Sequence, residues 1–224
     1  MCATARSVGR GARGGSTRCA QILAPTLLEY WAMRRTLSGA DVRWAGMRLA
    51  RWQGAGEGSS VVVCGLAGAL VPGLRPGTVL VPEWVGLPDG RTMHCDPALV
   101  QALAAAARAL GFQTDTGPLL TAPSLVVGAA RQQWAGHGFV AVDMETGLLA
   151  ERNVRVATIR VVLDGLDQGI SRHWLEPAGA MLRPRLWREL VWLSRVAPPY
   201  ALRAARVLKV ALEGSTISNQ AHRT

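Results

Sequence analysis

Two apolar runs that each end in an aspartate are the strongest constraint on the fold of this chain. Residues 139–142 (FVAV) and 156–163 (VATIRVVL) have the β-branched and aromatic composition typical of buried strands, and Asp143 and Asp164 follow them directly. The residues between the runs, 145–152, predict a short helix. The order strand, helix, strand predicts a βαβ unit, and with it an α/β domain around a largely parallel or mixed sheet.

Further segments extend this α/β pattern along the chain. The length of 224 residues fits one compact domain with a substantial core. Apolar residues at helical spacing predict helices at 27–37 and 97–110. The remaining strand-like runs, each short and either apolar or alternating, are 22–24, 41–45, 61–63 and 78–82.

Three of the predicted strands end in residues suited to binding or catalysis. The run 61–63 is predicted to end in a glycine turn at 65–68 (GLAG), and the other two ends are 143–145 and 164–167. In α/β sheets, ligands bind at the carboxyl ends of strands. The sequence therefore predicts a single site formed by these three segments.

The basic charge of the chain is confined to its two ends. The formal net charge is +10, but residues 21–170 carry twelve basic and twelve acidic side chains. Residues 1–20 carry four arginines and no acid, and residues 171–224 carry nine basic and three acidic side chains. A nucleic-acid-binding domain needs a coherent basic face on its fold. The neutral centre therefore argues against a nucleic acid as partner.

Composition also predicts how the chain is divided. Residues 1–20 are rich in Arg, Gly and Ser and predict a disordered basic leader. The predicted domain spans 21–213 and ends in a helical pair at 174–213, which Pro198-Pro199 splits. The polar residues 214–224 predict a disordered tail.

The cysteines and the hydropathy of the chain indicate a cytoplasmic protein without a bound metal. Cys2, Cys19, Cys64 and Cys95 form no CxxC pair and no zinc-like spacing with the four histidines. Nothing in this pattern requires an oxidising compartment. No stretch reaches the roughly eighteen apolar residues of a membrane span. We expect no metal and no cofactor.

Four segments together resemble the nucleoside phosphorylase/nucleosidase superfamily, which includes the methylthioadenosine/S-adenosylhomocysteine nucleosidases. The resemblance covers roughly residues 20–170 and lies in the order and spacing of PTLLEYWAM (25–33), CGLAGALVPGLRPGTVLVP (64–82), AVDMETGLLA (141–150) and IRVVLDGLD (159–167). It implies a three-layer-like single α/β domain with a central mixed, strongly twisted sheet flanked by helices. It also implies cleavage of the base–ribose bond of a purine nucleoside, the small-molecule partner.

The resemblance implies roles for four side chains. Asp164 resembles the acid that protonates the leaving purine, and a carboxyl in an apolar site tends toward the raised pKa this needs. Glu145 resembles the ligand of the ribose hydroxyls, Met144 lies against the ribose, and Glu29 resembles the carboxylate that positions water. Three structural alternatives remain, because Asp164 can cap a following helix, and a first-turn Glu such as Glu29 or Glu145 favours any helix.

The segments that would face the base are less typical of the family. The turn at Ala67-Gly68 lets the backbone approach the nucleoside, where a side chain would obstruct it. The aromatic residue on which relatives stack the purine is missing, and Leu125 is nearest to its place. The identity of the base therefore stays open, with an adenosine-type, 5′-substituted nucleoside favoured.

The residues expected to hold phosphate are also changed. Phosphorylases of the superfamily keep an Arg and a Ser or Thr where this chain has Val63 and Leu66. Water is therefore the favoured nucleophile. Arg48 provides a candidate anion site, which keeps a phosphate-dependent phosphorylase as an alternative, with phosphate as co-substrate. A degenerate protein that binds nucleosides without cleaving them is the third alternative.

The C-terminal part suggests two further partners. It is similar to the tail of the hopanoid-associated phosphorylase group, whose proposed substrate is an adenosyl lipid. An apolar stripe with arginines opposite predicts either peripheral membrane contact through 183–213 or packing on the domain or a subunit interface. The resemblance also implies a homo-oligomer. The stripe consists of Leu186, Leu190, Leu193 and Ala197.

Overall fold

The computed structural model describes residues 20–166, 170 and 186–221. The predicted leader 1–20 thus lies outside the described residues apart from Ala20, as does most of the first half of the predicted helical pair. The strands are β1 (Gln21–Ala24), β2 (Val42–Trp44), β3 (Ser60–Ala69), β4 (Val79–Leu80), β5 (Trp84–Gly86), β6 (Thr92–His94), β7 (Thr114–Asp115), β8 (Leu119–Thr121), β9 (Ala141–Asp143) and β10 (Arg155–Asp164). The helices are α1 (Leu27–Thr36), α2 (Pro97–Ala109), α3 (Ala129–Gly136) and α4 (Trp187–Ala221), and 3-10 turns span Met47–Leu49 and Thr146–Leu149.

The strands form one mixed sheet, as the sequence predicts. Its order is β6-β5-β8-β9-β3-β10-β4-β7, and β1 pairs with both β3 and β2. The two long strands, β3 and β10, run parallel from the pair Ser60–Arg155 to the pair Gly68–Asp164. On its other edge β3 pairs first with β1, in parallel, and then with β9, in antiparallel. The ends of β1, β9 and β10 therefore converge on the second half of β3.

The predicted glycine turn at 65–68 is wrong, because β3 continues through it to Ala69. Pairing with β10 and β9 supplies backbone hydrogen bonds along this segment. The glycines serve a different purpose. A Cβ atom at Gly65 would overlap the Glu29 carboxylate, and one at Gly68 would lie 3.1 Å from Oδ1 of Asp164. Glycine in a strand often marks such a close approach.

The predicted break in the C-terminal helices is also wrong. Helix α4 is continuous from Trp187 to Ala221 and contains Pro198 and Pro199. A proline inside a helix costs about 3 kcal/mol because it removes a hydrogen bond and crowds the preceding turn. Burial of the small and apolar residues of α4 against α1, α2 and β10 opposes this cost. The helix also includes most of the predicted tail 214–224.

The predicted apolar stripe of α4 belongs to its inward face. Leu190 and Leu193 are half-buried, Ala197 is buried, and the same face continues into buried Ala201 and Leu208. This burial agrees with the interpretation that the stripe packs on the domain. Within the described segments, no helix is both long and apolar enough to cross a membrane.

Candidate active site

A cavity of about 210 Å³ lies where β1, β9 and β10 converge on β3. Its lining includes seven of the eight residues predicted for the site, namely Glu29, Ala67, Gly68, Leu125, Met144, Glu145 and Asp164. Arg48 is the exception, because its side chain borders a neighbouring pocket together with Leu87 and Leu148. The two pockets share Met144. The topology thus brings together strand ends that lie far apart in the sequence.

Glu29 joins the first turn of α1 to the centre of β3. Its Oε2 accepts hydrogen bonds from the amide and the hydroxyl of Thr26, both at 2.8 Å, and Thr26 caps the helix in return. Its Oε1 accepts a hydrogen bond of 2.8 Å from the amide of Leu66. The absence of a side chain at Gly65 leaves room for this carboxylate. Glu29 is therefore a helix cap that also lines the cavity, which combines the two interpretations of its sequence position.

Glu145 follows β9 and is held between a backbone amide and a guanidinium. Its Oε1 accepts a hydrogen bond from the amide of Arg48 at 3.2 Å, and its Oε2 lies 3.4 Å from Nη2 of Arg160. Burial raises the pKa of Glu145 to about 7; Arg160 opposes this rise, while the charges of Asp143 and Glu29 add to it. Protonated and ionised Glu145 are thus both accessible near neutral pH.

Arg48 takes part in the site through its backbone. It has a φ of 54° and the next residue, Leu49, a φ of 56°, in the left-handed region that costs a residue with a side chain about 1–2 kcal/mol. Such conformations persist where the surroundings fix them, and they cluster at functional sites. Here the conformation directs the Arg48 amide to Glu145. The anion site at Arg48 stays a prediction.

Arg160 is a buried cation that the sequence analysis missed. Its Nη2 lies 2.5 Å from Oδ2 of Asp143, and its side chain is 1% exposed. Asp143 also accepts hydrogen bonds from Thr121, at 2.5 Å, and from the amide and hydroxyl of Thr146. The sequence did contain a signal for Arg160, because a charged residue inside an otherwise apolar strand, here between buried Ile159 and Val161, is unusual and needs a partner.

Asp164 ends β10 and is paired with Arg131, a second cation that the sequence analysis missed. Nη2 of Arg131 donates to Oδ2 of Asp164, and the two side chains are only 4% and 3% exposed. Burial raises the pKa of Asp164 above its ordinary value, and the charge and hydrogen bond of Arg131 oppose this rise. Arg131 comes from α3, whose sequence, AARQQWAG, has too little apolar periodicity to indicate a helix.

The described lining contains more acidic groups than basic ones. It has four carboxyl groups (Glu29, Asp143, Glu145, Asp164) and two guanidinium groups (Arg131, Arg160). Each of these guanidinium groups is already ion-paired with a carboxylate. The other walls are largely apolar, with Leu66, Val126, Val142 and Leu163. Such a cavity favours a bound species that develops positive charge and disfavours an added anion.

Comparisons with known proteins agree with this architecture. The sequence profile of the Phosphorylase superfamily matches residues 47–181. An S-adenosylhomocysteine nucleosidase from Streptococcus pyogenes, in complex with 5-methylthiotubericidin, superposes with a TM-score of 0.67 at 17% identity, covering 91% of this chain and 99% of that one. The 5′-methylthioadenosine/S-adenosylhomocysteine nucleosidase from Neisseria meningitidis, in complex with methylthio-immucillin-A, gives 0.66 at 14% identity, covering 88% and 99%.

A third structure of the same fold is the futalosine hydrolase of Helicobacter pylori. It superposes with a TM-score of 0.64 at 13% identity, and the match covers 87% of this chain and 97% of the hydrolase. A sequence search finds no curated protein that matches the chain. The comparisons confirm the predicted mixed α/β fold, in which helices flank a central sheet.

Proposed function

Because the chain belongs to the Phosphorylase superfamily, we propose that it cleaves the N-glycosidic bond of a purine nucleoside with water as the nucleophile. The observation that carries this proposal is the cluster of four carboxyl groups around one largely apolar cavity. Breaking a base–ribose bond leaves positive charge on the sugar and negative charge on the base. One carboxyl, Asp164, can hold the proton for the base, and the other carboxylates of the lining stabilise the sugar of that transition state more than they stabilise the uncharged substrate.

Three of the carboxyl groups have distinct parts in this proposal. Asp164, whose pKa is raised by burial, holds a proton for the departing purine. Glu145 accepts hydrogen bonds from the ribose hydroxyls and faces the developing charge of the sugar. Oε1 of Glu29 accepts one hydrogen bond from Leu66, so this oxygen has a lone pair left to orient a water molecule. Met144 packs against the ribose.

The charge of the cavity also bears on the choice between water and phosphate. A phosphorylase needs an unoccupied cation for its anionic co-substrate, whereas Arg131 and Arg160 are already paired. The Arg48 side chain lies at the neighbouring pocket. The three structural relatives reported above are named as nucleosidases or a hydrolase, which supports the same choice. Phosphorolysis and binding without turnover are the alternatives.

The walls of the cavity bear on the substrate. Leu125 and Val126 provide an apolar surface for a base in place of an aromatic ring. We propose an adenosine-type nucleoside, and we keep methylthio, homocysteinyl and longer hydrophobic 5′ groups, including an adenosyl lipid, as candidates.

A homo-oligomer, contact of 183–213 with a membrane and a cytoplasmic location stay predictions. The exposed apolar groove of Leu28, Trp31, Pro198 and Leu202 is one surface that a second copy would cover.

Release of the free base from a set of nucleosides tests the proposal. The set is adenosine, methylthioadenosine, S-adenosylhomocysteine and an adenosyl lipid, each with and without phosphate. We expect base release in phosphate-free buffer, free ribose derivatives as products and no acceleration by phosphate. Release that depends on phosphate and yields ribose 1-phosphates would establish the phosphorylase instead. Thermal stabilisation by nucleosides without any base release would establish the binding protein.

The pH dependence of turnover is expected to depend on Glu145. The carboxylate must be ionised to bind the ribose and stabilise the sugar cation, and with a pKa of about 7 it is neutralised as the pH falls. Activity of the wild type should therefore decline on the acid side. The Glu145→Gln variant should be about 10- to 100-fold slower at its best pH and should lose this acid-side decline, because the amide does not titrate. An unchanged acid limb in the variant would assign the titration to another group.

A further inference from the structure

Arg131 is held in place by three hydrogen bonds, one from each nitrogen of its guanidinium group. Nε donates to the carbonyl of Val126 at 3.0 Å, and Nη1 donates to the carbonyl of Gly165 at 2.7 Å. Nη2 donates to Oδ2 of Asp164. The guanidinium group therefore links the end of β10 to the loop of Leu125 and Val126, whose side chains form the wall proposed to face the base. A guanidinium group is planar and holds its donors in fixed directions, so it can bind three acceptors at once. The ammonium group of a lysine does not reproduce this geometry.

The bonds to Asp164 distinguish its two oxygens. Oδ2 accepts from Arg131 and, at 3.3 Å, from the amide of Ile170. No side chain of another described residue donates a hydrogen bond to Oδ1, which lies on the side of Gly68, a residue that lines the cavity. A Cβ atom at Gly68 would approach Oδ1 to 3.1 Å and Nη2 of Arg131 to 3.3 Å. The strand thus leaves space for the ion pair at Gly68, a position without a side chain.

From this geometry we propose that Arg131 is a positioning residue, which holds Oδ2 of Asp164 so that Oδ1 presents the proton to the base bound against Leu125 and Val126. This inference rests on the proposed function, since it names the group that orients the acid of that reaction. The bond to Val126 fixes the wall and the bond to Asp164 fixes the donor. One side chain therefore sets the distance between the base and its proton.

Arg131 also opposes the retention of that proton. As the cation in contact with Asp164, it lowers the pKa that burial raises. The other charged groups lining the described cavity are Glu29 of α1, Asp143 and Glu145 at the end of β9, and Arg160 of β10. None of these contacts Asp164 by a hydrogen bond or ion pair in the described residues. Removing the charge of Arg131 should therefore act on the titration of Asp164 directly.

The test uses Arg131→Met, which removes the charge, and Arg131→Lys, which keeps the charge but loses the fork. Arg108→Met, at an exposed position in the last turn of α2, controls for the loss of one positive charge. The carboxyl of Asp164 is titrated by carbon-13 NMR of protein labelled at aspartate, with Asp164→Asn for assignment. Base release is measured in parallel, as kcat and KM.

We expect the pKa of Asp164 to rise by about one unit or more in Arg131→Met and to stay unchanged in Arg108→Met. In Arg131→Lys we expect kcat to fall about 10- to 100-fold with KM within a few-fold, because orientation is lost while charge is kept. An unshifted Asp164 in Arg131→Met, or wild-type kcat in Arg131→Lys, would overturn the inference. If the wild type releases no base, the proposed function fails, and the NMR titration still decides whether Arg131 controls Asp164. If Arg131→Met does not fold, the kinetics of Arg131→Lys decide the inference.

Discussion

Replacing Asp164 with asparagine is expected to slow base release by roughly 10²- to 10⁴-fold while nucleoside binding changes only a few-fold. The amide keeps the shape of the carboxyl and can still contact Arg131, but it has no proton to transfer to a leaving purine. Turnover and binding are measured separately, by single-turnover base release and by calorimetric titration with a slowly cleaved nucleoside.

The matched control is Asp41→Asn. Asp41 is also ion-paired with an arginine, Arg43, but its side chain is 40% exposed and it does not line the cavity. This variant should retain the wild-type rate. A rate for Asp164→Asn within three-fold of the control would remove the acid assignment, and the capping role of Asp164 would then be the better explanation.

The largest effect on stability is expected for Arg160→Met. This change leaves Asp143 and Glu145 without their shared cation in a buried site, and breaking a buried pair in this way typically costs about 3–5 kcal/mol. Urea denaturation at pH 8 measures the free energy of unfolding. The loss should shrink when the pH is lowered, because a protonated carboxyl no longer needs a counter-ion.

The same substitution five residues earlier in β10 provides the control. Arg155 has a side chain that is 63% exposed, and its contact with Asp96 is 3.9 Å long. Arg155→Met should change the free energy of unfolding by no more than about 1 kcal/mol. An Arg160→Met deficit that is equal at pH 5 and pH 8 would indicate lost packing in place of unpaired charge.

The parts of the site that could be predicted are those that follow from the sheet. Asp164 and Glu145 follow apolar runs, and both strands pair with the second half of β3, although β9 runs antiparallel to β3 and β10 runs parallel to it. Glu29 lies in the first turn of a helix that the apolar spacing of 27–37 predicts. These local patterns, together with the family resemblance, identify seven of the residues that line the cavity.

The parts that could not be predicted depend on contacts between distant segments. Glycine has a low strand propensity, so only pairing with β9 and β10 explains why β3 continues past Gly65. Short strands such as β6 and β7 have too few residues for a periodic signal. The prolines of α4 correctly indicate an unfavourable helix position, but packing overrides that preference. Arg131 and Arg160 acquire their roles only from the carboxylates they meet.

The glycines of β3 limit where new specificity can be introduced into this pocket. A methyl group at Gly65 would overlap the Glu29 carboxylate, and one at Gly68 would lie 3.1 Å from Oδ1 of Asp164 and displace it, so a mutant library built on this strand would disturb two carboxyl groups of the proposed site. In the neighbouring loop Leu125 is only half-buried, whereas Val126 is buried and its carbonyl binds Arg131, so Leu125 is the replaceable part of this wall. An engineer seeking a different base should diversify that loop and leave the strand unaltered. Under selection for a new substrate, adaptive changes should accumulate in the loop first.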